Sequence, residues 1–539
     1  MKRLLTDNRF LAVVLLLLFI PIHLYALGEL PFGMYVDEVG MAYDAWCLAN
    51  YGVDRYLKPF PVYLTNYGGG QSAMYAWLAA GLIALTGSTS TALLRLPGAA
   101  FGLMTMTFGA LVVHEIMGKK HPKAWFVFGL FYLICPYFTM AARFGLDCNL
   151  MLGMSTAFLY AVLRAAKLGR MRDYALAGLS GALTLYTYAV SYIPVALFLL
   201  FSLVWLVRMR RFRWRNIAAA AAPFAVVAGP LIAMQVINLF DLNEVTLFGM
   251  FTLTKLPYYR TDELGFGNLL GGLIGAIRSA LTHDIYAPNA PFQFWTMYPL
   301  SVPFAVIGAV TLLVRGVRSF RRREADPAFF ALMWGVAMLC VGALFQKGWP
   351  APNVNQMNGI MFVTAASAVL GIFTALDWLR GNVRRAASAV VALAYAASAV
   401  LFFNWYFIER DESFQFSEIP AELLDVLEQT PEFDGRTVHI ALIYPYYCFA
   451  EQISPYELDL AAQASEGEIT YVTYGNYRFV PADFLPPLDP DDLYVCTARD
   501  SDYNLYLRDD DRFQCVQIGE MLLYFDADLS VELPQADES

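Results

Sequence analysis

Apolar residues in this chain come in long uninterrupted runs separated by short polar connections, a pattern without the strict alternation of half-buried strands. Runs near 10 to 30, 91 to 117, 124 to 141, 150 to 165, 173 to 190, 192 to 208, 216 to 237, 294 to 314, 328 to 346, 356 to 379 and 386 to 408 each approach a bilayer's thickness in helix. A crossing takes roughly 20 mostly apolar residues, so the pattern predicts about eleven transmembrane helices. The first run follows Lys2, Arg3 and Arg9. Its length, and the poor small-residue cleavage site in Tyr25-Ala26-Leu27-Gly28, favour a retained anchor over a cleaved signal.

Basic residues fall in alternate connections: Lys119, Lys120 and Lys123; Arg164, Lys167, Arg170 and Arg172; Arg208 to Arg215; Arg315 to Arg323; and Arg380, Arg384 and Arg385. Short loops rich in Lys and Arg stay cytoplasmic, which puts the N-terminus inside. The alternation closes only if residues 71 to 87 do not cross. About 10 to 14 apolar residues suit an interfacial helix, so this segment is expected to lie flat within an outer loop from 31 to 90. Residues 264 to 281 are expected to do the same in the outer loop 238 to 293.

Composition supports a multi-pass membrane protein: 58% of residues are hydrophobic and 15% charged, with a mean hydropathy of +0.48. Residues 409 to 539 depart from it, carrying 29 acidic side chains against six Arg and no Lys. The expected division is a transmembrane domain over 1 to 408 and an acidic extracytoplasmic domain over 409 to 539. A helix near 419 to 429 and strands near 437 to 443, 493 to 497 and 513 to 524 make the second a small α/β fold. Its charge excludes nucleic acid and an anionic bilayer surface as partners. Of seven Cys, only Cys448, Cys496 and Cys515 lie in it, which allows either one disulfide or free thiols. No HExxH, CxxC pair, Walker loop or repeat is present.

The polar residues that spans normally exclude gather in the outer connections. Asp37 and Glu38 open the first, which also holds Asp44, Asp54, Arg55 and the turn Gly68-Gly69-Gly70-Gln71. The second is Ala142-Arg143-Phe144-Gly145-Leu146-Asp147-Cys148-Asn149. The long loop contributes Lys255, Arg260, Asp262, Glu263, His283 and Asp284, and the last runs from Gln346 and Lys347 to Asn358. Such a set suits group transfer from a lipid phosphate. A carboxylate takes the proton from an attacking hydroxyl, while Arg, Lys or a carboxylate-bound divalent metal stabilises charge on the departing phosphate. Nucleotide sugars are cytoplasmic, so a glycosyl donor at the outer face has to be carried on a lipid.

Several of these segments resemble bacterial GT-C glycosyltransferases similar to the protein O-mannosyltransferase and lipid A aminoarabinose transferase families. The resemblance lies in Asp37-Glu38 after the first span, Tyr43-Asp44-Ala45, Tyr51 to Arg55, Arg95-Leu96-Pro97 and Arg143 to Asn149, within roughly residues 10 to 408. It implies an all-α polytopic membrane fold and transfer, with inversion, of a sugar from a polyprenyl-phosphate donor. The acceptor would be an extracytoplasmic glycan, lipid or protein. It assigns acceptor activation to Asp37, a shaping or coordinating role to Glu38, and assistance of the acceptor or of a metal to Asp147. Arg143 becomes a donor-phosphate contact, with Arg95, Tyr43 and Asp44 as further substrate contacts. Where relatives carry Asn-Arg-hydrophobic-Asn before a late span, this chain has Asn355-Gln356-Met357-Asn358. Lys347, Arg260 and Lys255 are therefore the remaining phosphate candidates.

Each residue has a simpler reading. Adjacent loop acids are commonly just solvated, Arg143 and Asp147 could brace their loop as an ion pair, and Arg95 could be a snorkelling anchor. A transporter, flippase or polymerase of lipid-linked glycans would share the many spans. Transport sites, however, sit near the midplane with buried charges, and the span centres here carry almost none.

Overall fold

The computed structural model describes residues 7–66, 69–257, 264–282, 293–345, 355–409, 416–460, 463, 472–479, 487–498 and 502–531. Each of the eleven apolar runs is helical. In chain order the helices of the first part are α1 (Asn8–Leu24), α2 (Val36–Tyr51), α3 (Met74–Thr86), α4 (Thr91–Met117), α5 (Ala124–Ile134), α6 (Pro136–Ala141), α7 (Asp147–Leu168) and α8 (Met171–Thr187). They continue as α9 (Tyr192–Arg208), α10 (Trp214–Leu239), α11 (Leu269–Leu281), α12 (Ser301–Arg322), α13 (Ala328–Leu344), α14 (Gly359–Asp377) and α15 (Gly381–Phe403). Among the described residues, seven helices are long and apolar enough to cross a membrane unaided; α1, α3, α5, α11 and α13 are shorter apolar helices. The run 124 to 141 is cut in two because Pro136 cannot donate an amide hydrogen bond and Cys135 before it is extended (φ −75°, ψ 124°).

The chain divides into two compact units. Unit one gathers Met1–Leu30, Val62–Tyr75 and Ser90–Phe414; unit two gathers Pro31–Pro61, Ala76–Thr89 and Gln415–Ser539. The loop that opens with Asp37 and Glu38 thus belongs to the same unit as the acidic C-terminal residues.

Helices in unit one pack through small residues, as polytopic bundles do where lipid supplies no hydrophobic drive between helices. A Cβ at Gly308 of α12 would fall on the Ser367 carbonyl of α14, and one at Gly371 on the Phe304 carbonyl, so the two backbones touch in both directions. Gly178 of α8 meets Ala220 of α10 in the same way. The alternate basic connections converge at one end of this unit. There Asp377 binds Lys120 (2.5 Å) and Arg384 (3.0 Å), Glu115 binds Lys167 (2.8 Å), and Arg315 donates to the Ile116 carbonyl (3.0 Å). At the other end are two small antiparallel hairpins, β1 (Tyr63–Asn66) with β2 (Gly69–Ser72), and β3 (Val245–Leu247) with β4 (Phe251–Leu253). Gly69 and Gly70, expected in a turn, are strand.

In unit two, α16 (Ala421–Gln429), α17 (Pro445–Ala450), α18 (Pro455–Leu458) and α19 (Asp502–Arg508) accompany a six-stranded sheet of order β6-β7-β5-β8-β10-β9. Its strands are β5 (Val438–Ile440), β6 (Val472–Tyr474), β7 (Tyr477–Phe479), β8 (Leu493–Thr497), β9 (Phe513–Ile518) and β10 (Met521–Asp526). β5 runs parallel to both β7 and β8, and the other pairings are antiparallel. The segment before α2 is joined to this unit by backbone hydrogen bonds, Phe416 N to Phe32 O (2.9 Å) and Met34 N to Ser417 O (3.3 Å). Gly33 is required between them: its φ is +67°, and a Cβ would strike the Phe416 carbonyl. All seven cysteines are free thiols, Cys448 and Cys496 buried and Cys515 exposed.

Candidate active site

The first half of the predicted site begins α2. Glu38 sits at the third helical position, where its Oε2 accepts from the Tyr35 backbone N–H (3.4 Å), a reciprocal capping arrangement that fixes the helix start. Glu38 is buried, at 2% exposure, while Asp37 beside it is partly exposed. The capping task therefore falls to Glu38 and leaves Asp37 as the more accessible of the two carboxylates. Tyr446 of α17 donates from its hydroxyl to Met34 O (2.6 Å). Burial, and then Glu38, Tyr35 and Asp37, push its phenol above the usual value, so it stays a donor.

Further along α2, Tyr43 donates to Ile453 O (2.9 Å). Asp44 takes three hydrogen bonds from Arg55: Oδ1 from the backbone N (3.1 Å) and Nε (2.9 Å), Oδ2 from Nη2 (2.6 Å). Arg55 also donates to Gly40 O (2.5 Å) and the Tyr444 hydroxyl (3.3 Å). Tyr43, Asp44 and Arg55 are all out of solvent, and their hydrogen bonds brace unit two from within. Asp54 caps the next turn by accepting from Tyr56 N and Lys58 N (2.9 Å each), and its Oδ2 is buried without a hydrogen-bond partner.

Asp147 belongs to unit one, at the first turn of α7. Its Oδ2 accepts from Ser72 N (3.0 Å) and its Oδ1 from Cys148 N (2.7 Å). Around it are the buried Asn66–Gln71 pair (2.9 Å), Asn149 donating to Phe144 O (3.4 Å), and Asn358 donating to Cys148 O. The hairpin β1–β2 is tied to β4 by Val62 N to Thr252 O (2.9 Å). The hydroxyls of Ser72 and Thr65 and Asn358 Oδ1 are buried here without a hydrogen-bond partner. Polar atoms left unpaired away from water are costly, and these gather near the start of α7 and α14. The sequence pointed to Asp147 but not to Ser72, whose backbone N–H orients the acid, nor to Asn358.

The two arginines have a different place from that predicted. Arg143 is completely buried and donates to the carbonyls of Ile22 (3.1 Å), Tyr25 (2.7 Å), Ala26 (3.0 Å) and Leu30 (3.2 Å), and to the Tyr406 hydroxyl (3.2 Å). It makes no ion pair with Asp147 among the described residues. Arg95, equally buried, donates to Leu27 O (3.1 Å) and is no snorkelling anchor. Both clamp the chain leaving α1, because a guanidinium's fork of donors can satisfy several carbonyls that a helix end leaves unpaired. Lys255 binds Asp241 (2.8 Å), whose carboxyl is held below its usual range by that hydrogen bond and then by the Lys255 charge. Arg260 and Lys347, with Asp262, Glu263, His283 and Asp284, lie outside the described residues. Among the described residues no group of three His, Cys, Asp or Glu side chains could hold a metal ion. Asp37 and Asp147 sit in different units, and both oxygens of Asp147 accept backbone N–H groups.

The architecture is that of a multi-pass membrane protein, and its likeness to solved structures is one of fold. The crystal structure of ArnT from Cupriavidus metallidurans bound to undecaprenyl phosphate superposes with a TM-score of 0.52 at 13% identity, covering 95% of this chain and 97% of that one. The same protein in its apo state gives 0.51 at 13% identity, over 95% and 96%. The Archaeoglobus fulgidus oligosaccharyltransferase with zinc and sulfate gives 0.49 at 14% identity, over 83% of this chain and 61% of that one. No protein-family profile and no curated protein matches the chain in sequence.

Proposed function

We propose that the protein is a membrane glycosyltransferase that moves a sugar from a polyprenyl-phosphate donor to an acceptor hydroxyl outside the cytoplasm, with inversion. The observation that carries this reading is the fold shared with ArnT over 95% of the chain, one of the two ArnT structures holding undecaprenyl phosphate. Asp37 takes the proton from the acceptor hydroxyl as its oxygen attacks the anomeric carbon. The bond from that carbon to the phosphate oxygen breaks, and polyprenyl phosphate leaves with the electron pair. Partial exposure of Asp37 and the engagement of Glu38 in capping support this division of labour. The acidic Asp147, held by two backbone N–H groups, assists the acceptor. An apolar cavity of about 300 Å³ between α11, α12, α13 and α14, lined by Ala280, Val306, Val336, Ile360 and Val363, suits a lipid tail. The acceptor is an envelope glycan, a lipid or a protein.

The test supplies membranes containing wild type or Asp37→Asn with radiolabelled polyprenyl-phosphate sugars and follows transfer into extractable and protein-bound products. Wild-type transfer abolished in a folded Asp37→Asn protein is expected, and equal transfer by both sinks the mechanism. The orientation, with the arginine-rich connections cytoplasmic, rests on the charge alternation. It predicts that a cysteine at Gly69, in a background lacking the exposed Cys515, is labelled from the outer face only.

A further inference from the structure

The turns joining α7 to α8 and α9 to α10 lie side by side at the arginine-rich end of unit one. Beneath them is a cavity of about 270 Å³, lined almost wholly by apolar groups from Val162, Ala166, Ala177, Leu206, Ala221 and Phe330. Its single phenol, Tyr174, sits beside Asn216, Arg211 and Arg213. The rim is built rather than incidental. Asn216 donates to Gly169 O (3.1 Å), and Arg211 donates to Ala166 O (2.8 Å) with its guanidinium 5.8 Å from the Trp205 ring centroid.

The acids nearest this rim are already committed, Asp173 to Arg164 (3.6 Å) and Glu115 to Lys167 (2.8 Å). Arg170, Arg172, Arg210 and Arg213 are exposed and make no ion pair among the described residues. An apolar cavity thus opens directly under uncompensated cations. Water gains little in such a cavity, which offers it almost no partners, and a free anion has no use for it. A molecule with an alkyl chain and a phosphate satisfies both parts.

We propose that this is a binding site for one anionic phospholipid of the leaflet at the arginine-rich end, its acyl chain in the cavity and its phosphodiester against Arg211, Arg213 and the Tyr174 hydroxyl. The site is separate from the proposed chemistry: Val162 lies 15 residues along α7 from Asp147, about 22 Å at ~1.5 Å per residue. It does not depend on the glycosyltransferase reading.

Full-length protein in detergent is titrated with phosphatidylglycerol, with phosphatidylcholine of the same acyl chains, and with inorganic phosphate, following retained lipid by native mass spectrometry and the unfolding midpoint. Phosphatidylglycerol is expected to bind and stabilise in preference to the other two. Arg213→Gln should weaken that binding about fivefold, the scale for one basic residue at a lipid surface, and the equally exposed Arg385→Gln should not. Ala221→Trp, which fills the cavity from its exposed wall, should displace the lipid. Equal effects of the two phospholipids, equal stabilisation by inorganic phosphate, or equal loss in the two arginine variants would each overturn the proposal. Arg213 decides the outcome even where Ala221→Trp does not fold.

Discussion

Asp44 and Arg55 meet in a wholly buried ion pair, Oδ2 to Nη2 at 2.6 Å, with side-chain exposures of 1% and 0%. A charge left alone in such a place keeps its desolvation cost and loses its compensation, typically about 3–5 kcal/mol. Asp44→Ala and Arg55→Met should each lower stability by about that amount, and their combination by less than the sum. Thermal unfolding of the purified protein checks this. Wild-type stability in either single variant would show that the pair contributes nothing.

Asp54, next to this pair, is raised to about 7 from its ordinary 3.8, first by burial and then by the Asp44 carboxylate. The folded protein therefore keeps a proton that the unfolded chain has released. Through this group stability is fullest below about pH 4 and declines as pH rises through about 7. Asp54→Asn keeps an acceptor for Tyr56 N and Lys58 N, so its unfolding midpoint should decline less over that window. Parallel pH profiles for the two proteins would contradict the assignment.

Arg143 distinguishes a clamp from a phosphate contact. Removing it leaves the carbonyls of Ile22, Tyr25, Ala26 and Leu30 without a shared donor in a buried place. Each orphaned group costs on the order of 1–3 kcal/mol. Arg143→Met should fail to fold or unfold early. Tyr406→Phe, which deletes only the hydroxyl accepting from Nε, should cost about 1 kcal/mol. A folded Arg143→Met protein with a raised KM alone would restore the donor-contact reading.

The helices were legible because a run of bilayer length has one economical backbone, and strand β8 coincides with the predicted 493 to 497. The hairpin β1–β2 was hidden by its glycines, which read as turn yet pair as strand against Thr65 and Asn66. Loop polarity brought Arg143 to the rim, and the family resemblance brought Arg95 there and gave both a substrate contact. Their partners are main-chain carbonyls of residues 22 to 30, and carbonyls carry no sequence signature, so a buried clamp and a ligand-binding arginine look alike until the chain is folded. The same limit explains Asp44, whose partner Arg55 lies across a turn.

Adjacent acids give the sharpest division of roles. Glu38 holds the start of α2 through Tyr35 N, an interaction that Glu38→Gln retains in its amide oxygen. That variant should fold and lose less than about 1 kcal/mol, within the range of a weakened cap, and its turnover should stay near wild type. Asp37→Asn keeps the size and shape of the side chain and should fold, while kcat falls about 10²–10⁴-fold, the contribution of a positioned general base. The two readouts separate the residues: stability reports on the cap, and kcat at saturating donor reports on the proton transfer. Asp37→Glu should recover part of the lost rate, since it restores a carboxylate at the cost of reach. If Glu38→Gln loses kcat while Asp37→Asn retains it, the base is Glu38 and the capping geometry breaks on substrate binding.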